Sequence, residues 1–135
     1  MIGRITLAPT VLVVGILVGC STGAEPTSTV TVSDPAEMFP DVTGAVFDGA
    51  GSIAVTVSSP YDSPARYADA LRVRSEDGIE VYGVRELTHD HASEQPFTRS
   101  ITDVKIPDDV TEVVVEGRDQ VSGWGGKTVT VSTGR

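Results

Sequence analysis

The chain is poor in the residues from which most reactive sites are built. Its 135 residues include one cysteine, two histidines and ten lysines and arginines against nineteen acids, a formal charge of −9. One cysteine forms no internal disulfide and no zinc site made of several thiolates. Two histidines exclude any site that needs three. The acid excess argues against nucleic acid, because a binder must neutralise phosphates with a basic patch. It argues equally against electrostatic docking on an anionic membrane. No Gly-x-Ser-x-Gly stretch occurs, so no serine nucleophile is indicated. No long segment has the 3.6-residue period of a helix. The length suits one small domain with appendages.

The N-terminus carries Arg4 as its only charge, then an apolar run from Ile5 to Val18 broken by Pro9 and Gly15. A bilayer span needs roughly 20 apolar residues, so this run fits a signal-peptide core better. It ends in Leu17-Val18-Gly19-Cys20, where the sole cysteine sits. These four residues resemble the lipobox of bacterial lipoproteins. The resemblance implies cleavage after Gly19, lipidation of Cys20 on sulfur, and an extracytoplasmic domain held to the membrane of the cell envelope. A diacylglyceryl group supplies the two chains that firm anchoring requires. Residues 1–19 are thus expected to be a signal peptide.

From Ser21 to Gly51 there is no Lys or Arg, several acids, three prolines and much Thr, Ser and Gly. Such a composition buries too little apolar surface to order itself. Residues 20–50 are therefore expected to be a flexible acidic tether, spanning roughly 30 Å as a coil. Within it, 29–32 could make a short edge strand and Met38-Phe39 could dock on the domain.

From Ser52 onward the apolar period is two. Strands are expected at 52–58, 70–74, 79–84, 97–106 (one bent strand or two short ones), 110–116 and 127–132, with one helical turn possible at 66–70. Glu76-Asp77-Gly78 is a turn signal, and Gly83, where the phase slips, suggests a bulge. Short strands with frequent turns indicate an all-β fold over 51–135: an antiparallel immunoglobulin-like β-sandwich of about seven strands. The cysteine pair and core tryptophan of antibody domains are absent.

Three features could carry chemistry. Both histidines fall in Thr88-His89-Asp90-His91-Ala92-Ser93-Glu94-Gln95. In an extended segment His89 and His91 share a face, and with Glu94 (or Asp90) they could hold zinc, copper(II) or iron(II). Against this, acids beside histidine favour protonation, which opposes metal binding. The spacing Gly83, His89-x-His91, Glu94 is close to the first cupin motif, but Glu94 comes one residue early and no second motif follows. Superoxide reductases bind iron through four histidines and a cysteine, which this chain lacks. The second feature is Asp119 to Lys127, a Gly-rich loop in which Trp124 either offers a contact surface or folds back over one end of the sandwich. The third is Gln95-Pro96-Phe97-Thr98-Arg99-Ser100, where Arg99 pairs with Glu94 or Asp119 or meets an anionic ligand.

These stretches, with Ile106-Pro107 and Arg118-Asp119, resemble a group of small exported proteins. That resemblance implies a domain type and no activity. Proteins of that group often carry a histidine before the glycine loop, where this chain has Ser122. The reading that follows is a non-catalytic binding module meeting an envelope protein or small ligand through Arg99 or Trp124. The rival reading is a metal-binding or metal-dependent redox protein using His89, His91 and Glu94.

Overall fold

The structure is a computed structural model and describes residues 38–135. The expected signal peptide, the lipobox and most of the tether lie outside the described residues. Seven strands follow in order: β1 (Asp41–Phe47), β2 (Ile53–Ser58), β3 (Ala68–Arg74), β4 (Val81–Glu86), β5 (Phe97–Ile101), β6 (Glu112–Asp119) and β7 (Gly123–Ser132). They form two antiparallel sheets, β1-β2-β5 and β4-β3-β6-β7, and no helix occurs among the described residues. The fold is thus the expected all-β sandwich of seven strands.

Period-two patterning makes the sandwich. Ile53, Val55 and Val57 on β2 face Leu71 and Val73 on β3 and Val113 and Val115 on β6, all fully buried. Each such side chain contributes about 1.5–3 kcal/mol of burial. Val42, Phe97, Ile101 and Val131 complete the core, and Tyr82, Leu87, Val104 and Ile106 close its margins. Arg72 and Arg74 alternate outward from β3, where Glu116 of β6 binds both, at 2.7 and 3.0 Å.

The sequence places the start of the domain too late. β1 lies inside the stretch read as tether, with Val42 fully buried and a ladder running from Asp41↔Ser58 to Phe47↔Ile53. The register shifts between Val42 and Gly44. This irregularity puts Val42, Ala45 and Phe47 against the core although their spacing is not two. The same break hides the strand from a period search. Two other expectations shift. β3 begins at Ala68, where a helical turn seemed possible, and only the first half of 97–106 is a strand. The bulge expected at Gly83 is present. Val73 pairs with Gly83 and Arg74 with Val81, leaving Tyr82 as the extra residue. A Cβ on Gly83 would lie 3.2 Å from the Val104 side chain, so β4 packs closely against that loop.

The strand directions sort the connections onto two poles. One pole holds loops 59–67, 87–96 and 120–122 together with the entering chain at 38–40. The other holds 48–52, 75–80 and 102–111. Two hydrogen bonds cross from β4 toward the other sheet, Arg85 Nη1 donating to the Ser100 carbonyl of β5 at 2.7 Å and the amide of Lys105, in the loop after β5, to the Tyr82 carbonyl at 2.9 Å.

Candidate functional site

Both histidines, Arg99, Glu94 and the glycine segment gather at the first pole, yet the metal site read from the sequence does not assemble. The segment around His89-x-His91 is turned rather than extended, with the Glu94 amide donating to the His91 carbonyl at 2.9 Å. His91 points into the domain with its side chain 1% exposed. Its ring stacks on Phe97 at 3.9 Å between centroids. His89 stays exposed, tilted against His91 at 4.6 Å, with its Nδ1 on the Asp90 carbonyl at 2.7 Å. Glu94 is held by Arg99 at 2.8 Å. Among the described residues no group of three His, Cys, Asp or Glu stands close enough to hold a metal ion. No donor set for zinc, copper or iron is therefore found there.

A buried polar knot that the sequence does not reveal shapes this loop. Asp62 is 6% exposed and accepts amide hydrogen bonds from Ala68 at 3.1 Å and His91 at 3.0 Å. Gln95 accepts from the Ser59 amide at 2.7 Å and donates to the Ser59 hydroxyl and the His91 carbonyl. The loop is thus tied to the connection between β2 and β3, and both backbone ends of His91 are bound. Its Nδ1 is buried without a hydrogen bond, 3.8 Å from Asp62 Oδ2. Burial lowers the His91 pKa below its ordinary 6.5, and the positive charges of Arg99 and His89 add to this. The carboxylates of Asp62 and Glu94 pull the other way and lose. The ring is consequently neutral at pH 7.

Of the expected Gly-rich loop only 120–122 is a turn, and Gly123 to Lys127 form the first part of β7. Gly117 of β6 pairs with Gly125, while Val115 pairs with Val129, so β7 carries extra residues at a bulge where Gly126 has φ 84°. The reason for the glycines is the entering chain. A Cβ on Gly117 would meet Pro40 at 2.6 Å, one on Gly125 would meet Phe39 at 2.6 Å, and one on Gly126 would meet the Pro40 carbonyl oxygen at 2.3 Å. Phe39 and Pro40 therefore fill a trough without side chains and plug this end of the sandwich. Asp41 secures the plug by accepting from the Lys127 amide at 2.9 Å. The docking expected of Met38-Phe39 falls on Phe39 and Pro40, while Met38 itself stays exposed.

Trp124 does not cover the core end. It lies beside Arg72 and Arg118, whose guanidinium carbons sit 4.2 and 5.3 Å from its ring centroid. Arg118 also grips Asp69 at 2.7 Å. Arg99 chooses Glu94, on a different sheet from Trp124, so the two expected contact residues do not share a surface.

Asp119 belongs to Arg66. Its fully buried carboxylate takes the guanidinium at 2.8 Å and the amides of Val121 and Ser122, each at 2.8 Å. Burial alone would raise the Asp119 pKa, but the Arg66 hydrogen bonds and the two amides outweigh it and hold it below 3.8. Burial and then the Asp119 carboxylate drive the Tyr61 phenol in the opposite direction, far above its ordinary range. At the other pole an open cleft of about 470 Å³ is lined by Phe47, Gly49–Gly51, Val104–Pro107 and Arg135. It holds no histidine, cysteine or hydroxyl side chain that could act as a nucleophile.

The chain is 41% identical over 80 residues to a protein of Halomicrobium mukohataei named "Putative lipoprotein". The aligned stretch is 59% of this chain and 38% of that protein, so the match spans well under half the length of the relative. No family model matches the chain, and no solved structure matches it.

Proposed function

We propose that the chain is a membrane-anchored extracytoplasmic lipoprotein whose sandwich acts as a non-catalytic interaction module. The observation that carries the reading is the sole cysteine ending Leu17-Val18-Gly19-Cys20, in a chain similar to a protein named as a lipoprotein. Cys20 is the lipidated residue, and the spacer after it ends at the Phe39-Pro40 plug. We read the strand order β1-β2-β5 against β4-β3-β6-β7 as immunoglobulin-like, with the fourth strand on the second sheet. Such sandwiches serve widely as cell-surface interaction domains, an analogy of fold and not of site. Arg66, Arg72, Arg74, Arg99 and Arg118 are all held by carboxylates in a fixed frame. The partner is an envelope protein or small ligand.

Intact-mass analysis of the protein extracted from its native membrane tests the anchor. The expected result is loss of residues 1–19 and a diacylglyceryl adduct on Cys20, both lost in Cys20→Ser. An unmodified Cys20 on a chain that retains residues 1–19 overturns the assignment.

A further inference from the structure

Exposed apolar side chains are concentrated on one strand. Among the described residues six large hydrophobic side chains stand exposed. Met38, Val46 and Val121 are scattered, whereas Ile79, Val81 and Val84 lie on β4 or just before it. β4 is one of the two outer strands of the four-stranded sheet. Exposed apolar residues on a free sheet edge invite pairing with another strand.

The bulge shapes that edge. Because Tyr82 is the extra residue between Val81 and Gly83, both Val81 and Val84 are turned outward, 47% and 50% exposed. The Tyr82 ring is buried and its carbonyl is already taken by the Lys105 amide. The Glu80 carbonyl and the Leu87 amide are bound toward the β3 side, by the Ser75 amide and the Asp69 carbonyl. Alternation along the strand then directs the backbone of Val84 to the free edge.

Residues 80–85 read Glu-Val-Tyr-Gly-Val-Arg. Set antiparallel against itself about the point between Tyr82 and Gly83, this stretch is self-complementary. Glu80 opposes Arg85, Val81 opposes Val84, and Tyr82, its ring turned into its own core, opposes Gly83. Opposite charges and β-branched pairs directly across antiparallel strands are favourable. An alignment that places Arg85 opposite Arg85 is not. A two-fold interface requires just this property, that residue i meets j while j meets i.

We propose that β4 is a homodimer edge, pairing with β4 of a second copy of this chain in that alignment. The two four-stranded sheets become continuous across the two-fold axis. Glu80 and Arg85 fix the register from both ends, and Val81 and Val84 supply the apolar contact.

Sedimentation velocity of the full chain in detergent, over a concentration series, tests this. The natural chain is expected to move from monomer to dimer as concentration rises. Val84→Lys should leave monomer throughout, with an unchanged circular dichroism spectrum. Glu80→Arg and Arg85→Glu should each weaken association, since each creates two like-charge pairs. An equimolar mixture of these two variants should associate again, because every pair then joins opposite charges. The proposal fails if the natural chain stays monomeric, if Val84→Lys dimerises as the natural chain does, or if the mixture associates no better than either variant alone. Val84 makes no side-chain hydrogen bond, so its variant decides the matter even if Arg85→Glu loosens the β4–β5 seam.

Discussion

The segments 88–95 and 119–127 look alike as sequence, each polar or glycine-rich and each a candidate for chemistry, but they are built for opposite reasons. The histidine segment is a true loop that turns one side chain inward. His91 is stacked on Phe97, with its main chain tied by Asp62 and Gln95. The glycine segment is a strand that gives space away, so that Phe39 and Pro40 can enter. One region is defined by what its side chain fills, the other by what its missing side chains admit. Neither needs a ligand to explain its composition.

Two glycines of β7 sharpen this contrast most strongly. Gly126 and Gly123 have nearly equal φ, 84° and 83°, but a Cβ at Gly126 strikes the Pro40 carbonyl while one at Gly123 meets nothing within 4 Å. Gly123→Ala should cost about 1–2 kcal/mol, the strain of left-handed backbone alone. Gly126→Ala should cost clearly more, about 3–5 kcal/mol, because the plug must move as well. Urea unfolding of the two variants reads the difference. Equal losses would mean that the trough does not depend on its lack of side chains.

Asp119 provides the next test, at the junction of the glycine segment with the polar pole. Asp119→Ala takes the carboxylate from the Arg66 guanidinium, which keeps the Ser122 hydroxyl at 2.8 Å, and leaves the amides of Val121 and Ser122 without their acceptor. Breaking a buried pair in this way costs about 3–5 kcal/mol. The unfolding midpoint should fall accordingly. A loss below about 1 kcal/mol, the value of an exposed pair, would show that Arg66 finds solvent instead.

The smallest effect concerns His91 and acid. Its folded pKa lies below 6.5, so below pH 6.5 the unfolded chain binds a proton that the folded one refuses. Stability therefore declines as pH falls through 6.5, until pH drops below the folded value. Asp119 adds a second loss at still lower pH, because its folded pKa is also depressed. His91→Phe keeps the stack on Phe97 and removes the first loss, so its melting temperature should change less between pH 7.5 and 5.5 than that of the natural chain. Identical pH profiles would place the His91 ring in solvent.

β2 was legible in the sequence by its unbroken period of two, and β3 from Ala70 onward, β6 and the second half of β7 by their runs of β-branched and apolar residues. β1 was not, because the irregularity between Val42 and Gly44 breaks the alternation, and its composition matches the spacer before it. The first half of β7 was hidden because glycines carry no periodic signal. At the candidate site, sequence spacing brought His89, His91 and Glu94 together only on the assumption of an extended segment. Asp62, which orients His91, lies 29 residues away in a proline-flanked turn. Asp119 is a partner for Arg99 by charge alone, but Arg66, 53 residues away, binds it. Such pairings depend on which loops share a pole, and that follows from topology rather than from local pattern.

The Phe39-Pro40 plug bears on how the protein can be cut. Protease cleavage before Met38 would leave all seven strands and the plug together. Cleavage between Phe47 and Ile53 would instead remove β1 and its plug, leaving the backbone of β2 bare on one side and the end of the core open to water. The border between a complete sandwich and an aggregating fragment therefore falls within about a dozen residues of chain.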